Sequence, residues 1–253
     1  MVSLYLAAIG LAVGLALDAL IVRLAVSPYG DEDDDGDVDE EDVAEEDSAE
    51  LAAGGALAAA HAEAGALVLA LDGSRAAWTR RLLVVAATAG LFAAAAARYD
   101  DASHLAVVTA YICVLLLCAG TDALSYRVPN VVTYPAIAGA LVVGAAMPGA
   151  DIYEVLAGGA LAGGVLLLPA LLTGGRGMGM GDVKLVAFAG LALGFTNISP
   201  ALLIMALGGG LVAAVLLISG LRKRSEPIPY APFISAGVLA TLLWQGAAFV
   251  RLT

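Results

Sequence analysis

Apolar residues in this chain come in long unbroken stretches, and the polar ones gather between them. The runs cover roughly 2–22, 82–97, 103–121, 130–147, 152–172, 184–197, 200–221 and 231–250. Stretches of about 20 apolar residues are long enough to cross a bilayer as helices. The pattern predicts an all-α polytopic helix bundle with about eight spans, the run at 184–197 being short for a full crossing. The links are brief, such as Met147-Pro148-Gly149-Ala150-Asp151 and Thr196-Asn197-Ile198-Ser199-Pro200. Two interruptions break the rhythm. One is a polar segment after the first run; the other is a glycine-rich stretch before Asp182.

The first interruption divides the chain. Residues 1–26 read as a first transmembrane helix, 27–77 as a loop, and 78–253 as a transmembrane core. Fourteen acidic residues and no basic one lie between Asp31 and Glu50. They carry the net charge of −12, since the rest of the chain has 10 acidic against 12 basic residues. A block of like charge repels itself and is expected to stay solvated and partly disordered. Residues 51–71 are long enough to span, yet His61, Glu63 and three glycines favour a soluble or surface-lying helix. The N-terminus lacks a basic n-region and an Ala-x-Ala exit, so the first run is expected to be a retained helix.

Basic residues set the orientation. Arg23, Arg75, Arg80, Arg81, Arg127, Arg176, Lys184 and Arg222-Lys223-Arg224 all fall on one side of an eight-span arrangement. The other side holds Arg98, beside Asp100 and Asp101. The positive-inside rule makes the basic side cytoplasmic, in the plasma membrane. Nucleic acid is not an expected partner; the lipid bilayer is. Gly158, Gly159, Gly163 and Gly164, like Gly208-Gly209-Gly210, mark close helix packing. Cys113 and Cys118 share one apolar run, five residues apart. No Cys/His metal spacing occurs, so neither a metal nor another cofactor is expected. His104 is expected to be structural, and Asp18 to face the bundle and pair with Arg23.

Two carboxylates stand at run ends on the basic side. Asp122 lies in Thr121-Asp122-Ala123-Leu124-Ser125-Tyr126-Arg127-Val128-Pro129-Asn130, where Pro129 stops the helix and Asn130 can cap the next one. Asp182 follows Gly174, Gly175, Gly177, Gly179 and Gly181, a loop able to bend and leave room beside it. It then opens a helix. Carboxylates near lipid are costly and usually have a partner or a task. Two of them in a partly dry cleft share a proton, which lets the pair activate water and protonate a leaving amine. Spacing puts Asp122 and Asp182 at one face; it does not bring them into contact. A transporter or ion-conducting protein is the alternative, but it predicts acidic residues near the midplane and inverted repeats. Neither is visible.

These residues resemble a family. Asp122 with Arg127-Val128-Pro129-Asn130, then Gly179-Met180-Gly181-Asp182-Val183-Lys184-Leu185, then Ile228-Pro229-Tyr230-Ala231-Pro232-Phe233, resemble the type IV prepilin peptidases, which are GxGD-type membrane aspartic endopeptidases. Residues 14–24 resemble the family's opening helix, with Asp18 where an asparagine is usual. The resemblance covers 1–26 and about 78–250. It implies cleavage of the short leader of prepilin-like precursors (pilin, pseudopilin or archaellin) at the cytoplasmic face. Asp122 and Asp182 would be catalytic. Gly179 and Gly181 would shape the loop, with Lys184, Arg127, Pro129 and Asn130 in support; Lys184 and Arg127 serve equally well as topology anchors. Bifunctional members carry two CxxC pairs in the first cytoplasmic insert. Here that insert has no cysteine, so no methyltransferase activity is expected. Its carboxylates invite the idea that it recruits basic leaders.

Overall fold

The computed structural model describes residues 2–26, 74–172, 179–219 and 228–251. The acidic tract, the 51–71 segment, Gly174–Met178 of the glycine loop and Arg222-Lys223-Arg224 lie outside the described residues. Among those described, the fold is all-α apart from one small strand pair. The elements are α1 (Val2–Val26), α2 (Arg75–Arg98), α3 (Ala102–Ser125), α4 (Asn130–Ala146), α5 (Ile152–Leu172), α6 (Met180–Ile218) and α7 (Ala231–Trp244). Strands β1 (Gly246–Ala247) and β2 (Val250–Arg251) then pair antiparallel. Five helices (α1, α2, α3, α5 and α6) are long and apolar enough to cross a membrane, while α4 and α7 are shorter apolar helices.

Three element boundaries differ from the apolar runs, each for a physical reason. Helix α2 begins at Arg75, well before the apolar run. Ser74 caps it, its Oγ accepting from Ala77 N at 3.2 Å. Arginine is a good helix former and can extend its charged head from an apolar stem, so charge did not mark the end of the helix. The two runs at 184–197 and 200–221 form one element, α6, broken at Gly194 (φ 74°, ψ 169°) instead of at the Thr196–Pro200 link. That conformation lies in the region only glycine adopts freely. The last run stops as helix at Trp244, and the remaining residues form the strand pair.

The most extensive packing is of α5 with α6, of α1 with α2 and of α6 with α7. Phe188, Leu185, Leu193, Ile198, Ile234, Leu242, Ile112 and Leu115 are fully buried. Glycines set the closest approaches. A Cβ on Gly158 would lie 2.4 Å from Gly190 O, and one on Gly190 would lie 2.2 Å from Gly158 O. Large apolar side chains such as Leu82, Leu83, Leu172 and Leu203 instead face outward, as a bundle immersed in lipid requires. Asp18 does face the bundle. The cations that meet it come from α2: Arg80 Nε lies 2.7 Å from Oδ1 and Arg81 Nε 3.2 Å from Oδ2. His104 packs its ring on Phe249, with centroids 5.0 Å apart.

Candidate active site

Asp122 sits one turn before the end of α3, on its inner face. The apolar run carries the helix past it to Ser125, so the carboxylate stays buried, 5% exposed. Tyr126 closes the helix in the left-handed conformation (φ 57°), and its N–H donates to Asp122 O at 2.8 Å. Arg127, Val128 and Pro129 then reverse the chain into α4. This turn lays Val128 against the next element of the site.

Asp182 lies in the first turn of α6. Gly179 is the N-cap, and its carbonyl accepts from Asp182 N at 3.1 Å. Gly181 is where a side chain would not fit. A Cβ there would stand 2.9 Å from Val128 Cβ, so the α3–α4 turn and the head of α6 touch through a glycine. That contact brings the two aspartates to one cleft of about 370 Å³. Its lining includes Asp122, Tyr126, Arg127, Val128, Asn130 and, from α6, Gly179, Met180, Gly181, Asp182 and Lys184. The two carboxylates are within electrostatic reach of each other.

Their surroundings differ. Asp122 Oδ2 accepts from the backbone N–H of Ala231 at 2.8 Å, with the Tyr230 amide beside it. This is the N-terminus of α7, where amides lack helical partners and favour a carboxylate. Asp182 Oδ1 is buried and meets no hydrogen-bond partner among the described residues. A buried carboxylate oxygen without a partner costs about 1–3 kcal/mol or more, so it marks a place where a proton, water or substrate group is needed. Tyr230 stands close to this side of the cleft. Its phenol is pushed above its ordinary pKa by burial, and then by the Asp182 carboxylate.

The structure thus brings Asp122, Asp182, Gly179, Gly181, Lys184, Arg127 and Asn130 to one cleft. Pro129 lies outside its lining and acts as the N-cap of α4, without a side-chain cap bond. Asn130 is therefore the first helical residue and does not cap α4. Its Oδ1 accepts from Lys184 Nζ at 3.0 Å, and the same ammonium lies 4.6 Å from the centre of the Tyr134 ring. Among the contributors to which sequence reasoning assigned no role are the Ala231 amide, Val128 and Tyr134. The first had a readable signal. Prolines at 229 and 232 mark a helix start, and free amides at a helix start attract anions. The other two depend on packing between elements and left no mark in spacing. Among the described residues no group of three or more His, Cys, Asp or Glu could hold a metal ion.

Comparison with known proteins bears on the same segment. Residues 109–218 match the model of the type IV leader peptidase family. A Bacillus subtilis protein named prepilin leader peptidase/N-methyltransferase is 32% identical over 160 residues, 62% of this chain and 63% of that protein. Proteins of the same name from Burkholderia pseudomallei and Xanthomonas campestris are 40% and 37% identical, over 32% and 29% of this chain and 26% and 25% of theirs. The chain therefore spans less than two thirds of the length of these curated relatives. No solved structure matches it. Residues 109–218, which hold both aspartates and the helices between them, are thus the part of the chain that is similar to the type IV leader peptidase family.

Proposed function

We propose that this protein is a multi-pass membrane aspartic endopeptidase that removes the short leader of prepilin-like precursors at the cytoplasmic face of the plasma membrane. The observation that carries the reading is the meeting of Asp122 and Asp182 in one cleft, with Asp182 Oδ1 buried and without a partner among the described residues and Asp122 Oδ2 anchored to the head of α7. The chemistry needs one carboxylate ionised and one protonated. The ionised one takes a proton from water, whose oxygen attacks the scissile carbonyl carbon. The protonated one donates to the carbonyl oxygen. Collapse of the tetrahedral species breaks the C–N bond as the amine takes a proton, and the pair returns to its starting state.

The remaining parts of the reading follow from the helices. Counting α6 as two segments around Gly194 and adding the two shorter helices gives eight crossings. With the basic links inside, the cleft opens to the cytoplasm, where a leader meets the membrane as its own hydrophobic helix enters. Both aspartates stand near helix ends, which favours a peptidase over ion conduction through the midplane. The relatives' names also include N-methyltransferase. We do not extend that activity to this chain, whose two cysteines, Cys113 and Cys118, lie together on α3 and supply no pair of CxxC motifs.

The test is co-expression with a prepilin-like precursor. Asp122→Asn and Asp182→Asn are each expected to stop leader removal while the protein still accumulates in the membrane. Full processing by either variant would refute the assignment.

A further inference from the structure

Helix α7 begins without a cap of its own. Its N-cap residue, Tyr230, makes no side-chain cap bond. The backbone groups at its head can each be traced. Phe233 N and Ile234 N both donate to Tyr230 O, at 3.0 and 3.2 Å. Pro232 has no N–H to place. That leaves Ala231, which is fully buried. Its amide donates to Asp122 Oδ2 at 2.8 Å, across 109 residues of sequence. A buried backbone N–H needs an acceptor, and here a carboxylate on α3 supplies it. Asp122 therefore does for α7 what a capping side chain does at most helix starts.

Asp182 is held differently, although it too stands in the first turn of a helix. Its Oδ2 lies near the N-cap of α6, where a Cβ on Gly179 would stand 3.7 Å away. Its Oδ1 is buried and has no hydrogen-bond partner among the described residues. Lys184, two residues on, directs its ammonium to Asn130 Oδ1 at 3.0 Å. An ionised carboxylate loses hydration on burial and needs donors on its oxygens. A protonated one carries its own hydrogen and becomes a donor. On the other side of the cleft, an amide bond to an ionised carboxylate is roughly twice as strong as one between neutral groups. The two settings thus favour opposite protonation states.

We propose that the head of α7 divides the work of the pair: the Ala231 amide holds Asp122 as the ionised base, and Asp182 carries the proton on Oδ1. This rests on the reading of the two aspartates as the catalytic pair. Asp122 takes a proton from water as the water oxygen bonds to the scissile carbonyl carbon. Asp182 gives its proton to the carbonyl oxygen, which leaves a gem-diol. As the C–N bond breaks, the nitrogen takes the proton held by Asp122. One diol hydroxyl then returns its proton to Asp182. The products are a carboxylic acid and an amine, and both aspartates regain their starting states. Ala231 is a positioning residue in this scheme, since it acts through Asp122.

The test is infrared spectroscopy of the full chain in detergent at neutral pH, where protonated and ionised carboxyl groups absorb in separate bands. Asparagine keeps the shape of each side chain and, at 122, an acceptor for the Ala231 amide, so Asp122→Asn and Asp182→Asn are expected to fold. The parent-minus-variant difference for Asp182→Asn should show a lost protonated carboxyl. That for Asp122→Asn should show a lost carboxylate instead. The reverse assignment, or two losses of the same kind, would overturn the proposal. A second measurement reads Ala231 directly, by replacing its amide nitrogen with an ester oxygen. Leader cleavage should then fall about tenfold or more in kcat with KM unchanged. An unchanged kcat would overturn the positioning role. The spectra read no peptidase activity. A reversed assignment would therefore leave the aspartate pair standing as the centre, whereas full cleavage by either asparagine variant would remove it.

Discussion

Gly181 is the residue on which the shape of the cleft turns. The 2.9 Å separation between a Cβ there and Val128 Cβ is shorter than side chains allow. Gly181→Ala must therefore push the head of α6, with Asp182, away from the α3–α4 turn. A displacement of about 1 Å at a reacting group can lower a rate about 10²-fold. We expect Gly181→Ala to lose activity on that scale and Val128→Gly, which removes the clashing Cβ, to restore much of it in the double variant, as leader-cleavage rates would reveal. If Val128→Gly gives no rescue, the steric account of the glycine is wrong. Residue chemistry was legible in the sequence: Asp122 and Asp182 stood out as carboxylates at the ends of apolar runs. Asn130 misled, because cap preference alone suggested a role that its contact with Lys184 overrides. Val128 carried no signal, since its importance exists only once two elements touch.

At the level of elements, glycine position separates packing faces from lipid faces. Gly158 meets Gly190 O, while Gly164 has nothing within 4 Å of a Cβ. Gly158→Ala is expected to force α5 from α6 and destabilise the bundle by about 1–3 kcal/mol or more. Gly164→Ala should be neutral or slightly stabilising, because alanine loses less backbone entropy in a helix. Thermal unfolding in detergent distinguishes them; equal losses would contradict the assignment of faces. The sequence marked both as small residues in one pattern and could not say which faced a helix. Helix α3 gives a pH prediction. Ser103's hydroxyl, then the His104 and Ser103 amides, hold the Asp101 carboxyl below its ordinary pKa. Its folded pKa is thus lower than its unfolded one. The cap contributes fully above the ordinary carboxylate range and is lost as pH falls through the lower folded value. Amide exchange at Ser103 and His104 should stay slow through mildly acidic pH and accelerate only in stronger acid. In Asp101→Asn that pH dependence should vanish; its persistence would assign the protection elsewhere.

At the scale of the whole molecule, the apolar runs made the all-α bundle legible, and the clustered arginines are the basis of its proposed sidedness. The bend at Gly194 and the terminal strand pair were not legible, because hydrophobicity does not distinguish a broken helix from two joined ones. Sidedness is testable with single cysteines in a background lacking Cys113 and Cys118. Tyr126→Cys, at the aspartate end, should react with an impermeant thiol reagent only after the membrane is opened. Pro148→Cys, at the far end, should react in intact cells. The reverse pattern would turn the bundle over and remove the cytoplasmic site. The central claim is that Asp122 and Asp182 act as one catalytic unit. Groups that act together lose their effect together, so their substitutions are far from additive. The most direct measurement is the leader-cleavage rate of purified Asp122→Asn, Asp182→Asn and the double variant on one precursor. Each single variant is expected to fall by roughly 10²–10⁴-fold, with the double variant no slower than either. Residual rates that multiply in the double variant, or a single variant that cleaves at the parent rate, would contradict it.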